Sequence, residues 1–231
     1  MLRSVIKISD QKTYQSTGKL LLTTVYVTSP GSLLFGADVL RSWLAGDSIV
    51  LPRNVIYPEN VNPKAINAAS TADMVNSQQA ASAAALTYLG YSVSERTVTD
   101  SAGIKSTKFD FPFQVTISLK DTGGPSGGLV FALGIVAKLR PDDFLAGRTV
   151  AGTGTIDMAG NIGAIGGIDE KITAAKRAGA TVFLAPTKNC RDVTNRPVGM
   201  TIYSVATLKE AVSALKDGRS AIPHCTWQRN R

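Results

Sequence analysis

The sequence predicts a fold of mixed α and β class, in one large domain or two small ones, and three observations carry that reading. Short runs of branched and aromatic residues alternate with alanine- and leucine-rich segments at helical spacing. Glycine and proline punctuate the junctions between them. The chain has 231 residues, 44% hydrophobic and 18% charged, which is enough apolar material for a packed core and excludes a disordered chain.

Taken in order, Leu20–Thr28 (LLLTTVYVT) follows the Gly18 turn and reads as a buried strand. Leu33–Trp43 reads as a short helix, followed by a proline-punctuated stretch to Pro63. Ala65–Leu89 is alanine-rich, holds no glycine or proline and stops at Gly90, which predicts a long helix. Tyr91–Lys108 is polar, with strand-like fragments and a turn near Ser101–Gly103, and reads as an excursion from the core. Phe113, Val115, Ile117 and Leu119 alternate with polar residues, which predicts a half-buried strand. A Lys120–Gly124 turn leads to Pro125-Ser126, and an apolar helix runs from Gly127 to Leu139 before Pro141. Val150–Ile156 reads as a strand, Met158–Gly167 as a glycine-rich turn and Ile168–Ala178 as a helix ended by Gly179. Thr181–Ala185 is the next strand and Val205–Leu215 the last helix.

Composition narrows the function. The net charge is +8, from 25 Lys plus Arg against 17 Asp plus Glu. The stretch from Lys188 to Arg231 holds 8 basic and 3 acidic groups, so much of the excess is C-terminal. Without a basic run or interleaved aromatics, this reads as a solvated face and no nucleic-acid partner is expected. The longest nearly apolar run, Gly127–Ala137, is too short to span a bilayer. Met1–Asp10 lacks an apolar stretch followed by a small-residue cleavage site, so it does not read as a signal peptide. The single histidine, His224, lies in a Pro-flanked tail, an improbable place for the base of a Ser-His-Asp or Cys-His site. Two cysteines 35 residues apart and one histidine do not make a zinc site. No glycine-rich loop ending in Gly-Lys-Ser/Thr is present, so no nucleotide is expected. Any enzyme here works without histidine, metal or cofactor.

Two residues suggest how. Ser126 follows Gly123-Gly124-Pro125 at a predicted helix start, where backbone N–H groups and the helix dipole favour a developing anion. An ordinary N-cap serine fits the same pattern. Lys171 lies on the Ile168–Ala178 helix among Gly167, Ile168, Ala174, Ala175 and Ala178, in the apolar stripe. Burial there favours the neutral amine, the form a lysine base needs. A snorkelling lysine is the blander account. A neutral Lys171 could take the hydroxyl proton of Ser126, and Thr153 could orient the amine through its own hydroxyl. An ordinary strand threonine serves equally well at that position.

These residues also carry a resemblance. GGPSGG (Gly123–Gly128) and AGTGTIDMAGNIGAIGGIDEKITAAKRAGA (Ala151–Ala180) resemble the proteolytic domain of the Lon proteases. The likeness is greatest to the ATP-independent, membrane-anchored Lon-like proteases of bacteria that carry a PDZ domain. It is specific over about 80 residues, Phe111–Asn189, and weaker over Thr13–Val27 and Asp73–Tyr91. The resemblance implies one α+β domain of the Lon proteolytic fold (ribosomal protein S5 domain 2-like) spanning residues 1–231. It maps the family's nucleophile onto Ser126, its lysine onto Lys171 and its supporting threonine onto Thr153. Residues 92–108 stand where the anchored relatives carry the PDZ domain, and 217–231 form a C-terminal tail.

The function expected is therefore ATP-independent serine endopeptidase activity through a Ser-Lys dyad, on peptides or unfolded protein segments. Backbone N–H groups around Gly124, Pro125 and Ser126 are expected to bind the oxyanion, and an extended substrate to pair with an exposed strand edge. A catalytically silent scaffold of the same fold is the alternative. The resemblance implies a homo-oligomeric ring, a hexamer, and the extracytoplasmic side of the membrane. A disulfide between Cys190 and Cys225 is also expected, because it would tie the tail to the body. Its alternative is two unrelated thiols.

Overall fold

In a computed structural model, residues 5–28, 33, 35–45, 50–52, 54, 57, 62–99, 105–119, 122–194, 196–217 and 223–225 are described. The turn expected at Ser101–Gly103, the start of the turn at Lys120 and most of the 217–231 tail lie outside them. Among the described residues, no helix is long and apolar enough to cross a membrane.

A parallel four-stranded sheet carries the architecture. It is built from β2 (Lys19–Leu22), β6 (Thr149–Gly152), β9 (Val182–Pro186) and β10 (Thr201–Val205), in the order β10-β9-β6-β2. β9 is buried along its whole length, consistent with the continuous apolar run VFLAP. The remaining strands form antiparallel pairs: β1 (Ile6–Ile8) with β5 (Val115–Ile117), β3 (Ser94–Thr99) with β4 (Lys105–Asp110), and β7 (Thr155–Ile156) with β8 (Ile162–Gly163). Together with the helices they give the α+β class expected of the sequence.

The helices are α1 (Gly36–Ala45), α2 (Pro63–Tyr88), α3 (Gly128–Leu139), α4 (Ile168–Arg177) and α5 (Leu208–Asp217). α2 starts on Asn62, whose side chain accepts the Lys64 N–H, with Pro63 in the first turn where its missing N–H is harmless. Its buried residues Ala81, Ala84, Ala85 and Leu86 sit in one core with Leu129, Phe131, Leu133 and Val136 of α3. Small alanines let the two helix axes approach closely, so α3 is held along the length that follows Ser126.

Several boundaries differ from the sequence reading. The strand expected over Leu20–Thr28 pairs only to Leu22, because its partner β6 ends at Gly152. Beyond that point Thr23 Oγ1 donates to Gly152 C=O at 3.2 Å, and the chain runs on without a ladder partner among the described residues. The strand expected at Val150–Ile156 is broken at Thr153-Gly154 into β6 and β7. The polar excursion contains a regular hairpin, with Ser94 opposite Asp110 and Thr99 opposite Lys105. Val205 closes a strand and does not open the last helix, which begins at Leu208.

Cys190 and Cys225 are joined in a disulfide across 35 residues of chain. The bridge holds residues 223–225 along the outer edge of β10. There Ser204 N–H donates to Pro223 C=O at 2.8 Å and His224 stacks on Tyr203. The open edge of the sheet is thereby covered. On the chain-entropy account, closing a loop of this length is worth about 3–4 kcal/mol. Urea unfolding with and without reductant is expected to differ by that amount, and Cys225→Ser is expected to behave like the reduced protein.

Candidate active site

The site forms where α3, α4 and the β6–β7 break meet. Gly124 takes a positive φ of 81° and Pro125 then fixes the next φ, so the chain turns sharply into Ser126. Gly127, not Ser126, is the N-cap of α3, and no side chain caps that helix. Ser126 is therefore not an N-cap serine. Its hydroxyl is turned to a different partner.

That partner is Lys171. Its Nζ lies 2.8 Å from Ser126 Oγ and 3.1 Å from Thr153 Oγ1. Thr153 Oγ1 in turn donates to the Ser126 carbonyl at 3.1 Å, which leaves its lone pairs for the amine. Thr153 is wholly buried and Lys171 is 3% exposed. The buried face of α4 is Ile168, Lys171, Ile172 and Ala175. Ala174 and Ala178, expected beside Lys171, are exposed, because the stripe follows i, i+3, i+4 and i+7 from Ile168. Desolvation by this apolar surround lowers the Lys171 pKa from 10.5 to about 8. Among the described residues no carboxylate pairs with the amine, so nothing offsets the desolvation.

Ser126 and Lys171 open onto a cleft of about 290 Å³. Much of it is lined by Thr23–Tyr26, which continue the chain from β2, and by Met74, Gly123 and Gly166. Among the described residues that line it, Lys171 is the one ionisable amine or acid, and no cluster of His, Cys, Asp and Glu is able to hold a metal ion.

The expected oxyanion donors need correction. Gly124 N–H donates to Ser70 C=O of α2 at 2.9 Å, and Pro125 has no N–H. The backbone donors left at this turn are Ser126 N–H and Gly127 N–H, neither of which donates a hydrogen bond among the described residues.

Two polar residues at the site escaped the sequence reading. Asn189 is buried in the 3-10 helix Thr187–Asp192. Its Oδ1 accepts from Ile165 N–H and its Nδ2 donates to Ile165 C=O, both at 2.9 Å. One amide thus pins both backbone groups of the loop that leads into α4. Nothing in the run TKNCRD distinguishes it from a surface asparagine. Ser77 of α2 is 5% exposed, and its hydroxyl donates to Pro125 C=O at 2.9 Å. Here a signal existed, because Ser77 precedes Ala81, Ala84 and Ala85 on one helical face.

Comparison with known proteins bears on this geometry. Residues 64–215 match the family model of the Lon protease (S16) C-terminal proteolytic domain. The Lon protease of Citrifermentans bemidjiense is 43% identical over 74 residues, covering 32% of this chain and 9% of its own. Lon protease 2 of Bacillus subtilis is 33% identical over 125 residues, covering 52% of this chain and 21% of its own. The archaeal Lon protease of Methanocaldococcus jannaschii is 36% identical over 104 residues, covering 45% and 16%. The chain matches about a fifth or less of the length of these relatives.

Proposed function

The chain belongs to the Lon protease C-terminal proteolytic domain family, and from that membership we propose that it is a serine endopeptidase working through a Ser126–Lys171 dyad without ATP. The observation that carries the reading is the 2.8 Å contact between a buried, desolvated amine and a serine hydroxyl at the wall of a cleft. A neutral Lys171 accepts the Ser126 proton as Oγ attacks the scissile carbonyl, and returns it to the leaving amine. Thr153 keeps the amine on Ser126 by accepting one of its N–H bonds. The oxyanion falls to the free backbone N–H groups of the Ser126 turn. These groups are assembled within one chain, so cleavage of an already unfolded segment asks nothing of a nucleotide.

The substrate in this reading is an extended peptide. Thr23–Tyr26 leave the sheet beside Ser126 with their backbone unpaired among the described residues, which suits addition of a peptide strand. The Cys190–Cys225 bridge favours an oxidising compartment, hence the extracytoplasmic side of a membrane. Exposed Phe35, Leu40 and Leu44 on and beside α1 favour association with further copies, in line with a ring.

Digestion of a peptide library with and without ATP tests the reading. Equal cleavage in both is expected, with kcat/KM rising through about pH 8 as Lys171 loses its proton, then holding into mild alkali. A requirement for ATP would remove the nucleotide-independent part, and an acid optimum would remove the lysine base.

A further inference from the structure

The long helix α2 carries three hydroxyl residues whose hydrogen bonds go to backbone carbonyls. Two of them behave as helix hydroxyls usually do. Thr71 Oγ1 donates to Asn67 C=O and Ser82 Oγ to Gln78 C=O, each four residues back in the same helix. Ser77 departs from this habit. Its Oγ leaves the helix and donates to Pro125 C=O, 48 residues away, at 2.9 Å.

That carbonyl belongs to the peptide whose other end is the Ser126 N–H. The bond is trans, so C=O and N–H point in opposite directions from one rigid plane. Whatever holds the oxygen against α2 aims the N–H away from α2. The other bond to this oxygen is long, 3.4 Å from Gly128 N–H. Pro125 fixes its own φ, so the plane turns chiefly about Pro125 ψ and Ser126 φ, and one firm hydrogen bond is enough to stop it. Gly128 keeps room for this contact. A Cβ there would lie 3.1 Å from Ser77 Oγ and 2.9 Å from Ile156 Cγ2.

We propose that Ser77 is a positioning residue for transition-state stabilisation: by gripping Pro125 C=O it locks the Pro125–Ser126 peptide with the Ser126 N–H aimed at the substrate oxyanion. The inference rests on the proposed peptidase reading. It concerns a group that touches neither substrate nor the dyad amine, so its loss acts on the transition state and spares ground-state binding.

The test compares Ser77→Ala with Ser82→Ala, the same chemical change at a second buried serine of the same helix. Ser77→Ala is expected to lower kcat by about 10–100-fold, short of the loss for a deleted oxyanion donor, with KM within about threefold of wild type. Its affinity for a peptide boronate is expected to fall in parallel with kcat, while the pH profile set by Lys171 stays in place. Ser82→Ala is expected to match wild type in kcat, and Ser77→Thr to recover most of the lost rate. Amide NMR gives a readout independent of turnover: the Ser126 N–H resonance moves in Ser77→Ala and not in Ser82→Ala. An unchanged kcat in Ser77→Ala, or equal losses in the two alanine variants, overturns the inference. If wild type and Ser126→Ala are equally inactive, the peptidase reading fails on its own. A stationary Ser126 amide then overturns the clamp as well, and a shifted one upholds it.

Discussion

Ser126→Ala is expected to reduce peptide turnover by at least about a thousandfold and to leave a folded protein behind. The nucleophile is the one group in the proposed mechanism for which no neighbour substitutes, and removing a member of such a unit removes nearly all the chemistry. The fold, by contrast, asks little of this side chain. Its Oγ caps no helix and meets Lys171 alone among the hydrogen bonds at the site. Loss of that one bond is worth about 1 kcal/mol. Steady-state cleavage of a quenched-fluorescence peptide, run beside urea unfolding, reads both quantities. Retained turnover would remove Ser126 from the mechanism, and a collapsed fold would make the variant uninformative about chemistry, a case that fluorophosphonate labelling of wild type resolves.

Lys171→Met is expected to match that loss of activity while making the protein more stable at neutral pH. The amine has a folded pKa of about 8 against 10.5 when solvated, so the unfolded chain holds its proton more firmly. Below pH 8 both states are charged and the folded one bears the burial cost. That cost fades as pH rises from about 8 to 10.5, where the unfolded state alone still binds the proton. A shift of this size corresponds to roughly 3 kcal/mol. Methionine fills similar volume without charge, so Lys171→Met is expected to gain about 1–3 kcal/mol at pH 7 after losing its hydrogen bonds to Ser126 and Thr153. Its stability is expected to be flat where that of wild type climbs. Lys171→Arg is expected to restore neither activity nor the pH dependence, since guanidinium does not give up its proton. Urea midpoints from pH 6 to 10 for the three proteins decide it; a Lys171→Met variant less stable than wild type at pH 7 would contradict the buried-amine account.

Much of this is legible in the sequence. The Ala65–Leu89 helix and the apolar helix after Ser126 could be read because burial on one face or all round writes itself into residue type at a fixed period. Lys171 could be read for the opposite reason, as a charge where the period demands an apolar residue. Three kinds of feature could not. The β6–β7 break comes where Gly154 N–H turns to Ser126 C=O, a contact 28 residues away in sequence that local pattern does not encode. Strand β3 of the hairpin is exposed along nearly its whole length, so no alternation marks it. The use of Gly124 N–H by Ser70 depends on a contact 54 residues away in sequence, and it takes Gly124 out of the expected oxyanion donors. Ser77 falls between these cases: its position on the buried face was visible, its partner was not.

The hairpin of β3 and β4 has a consequence for how such chains diversify. Its first and last residues, Ser94 and Asp110, are cross-strand partners, so the chain leaves the body and comes back at neighbouring points. The hairpin follows α2 and precedes β5, outside the span from Ser126 to Lys171 that holds the proposed dyad. An insert of any size whose own ends lie a strand's width apart could be spliced there, and closing a longer loop adds only about 0.6 kcal/mol per doubling of length. The position is thus a graft point, where one lineage could acquire a whole recognition module and another shed it, with the Ser126–Lys171 cleft left unchanged.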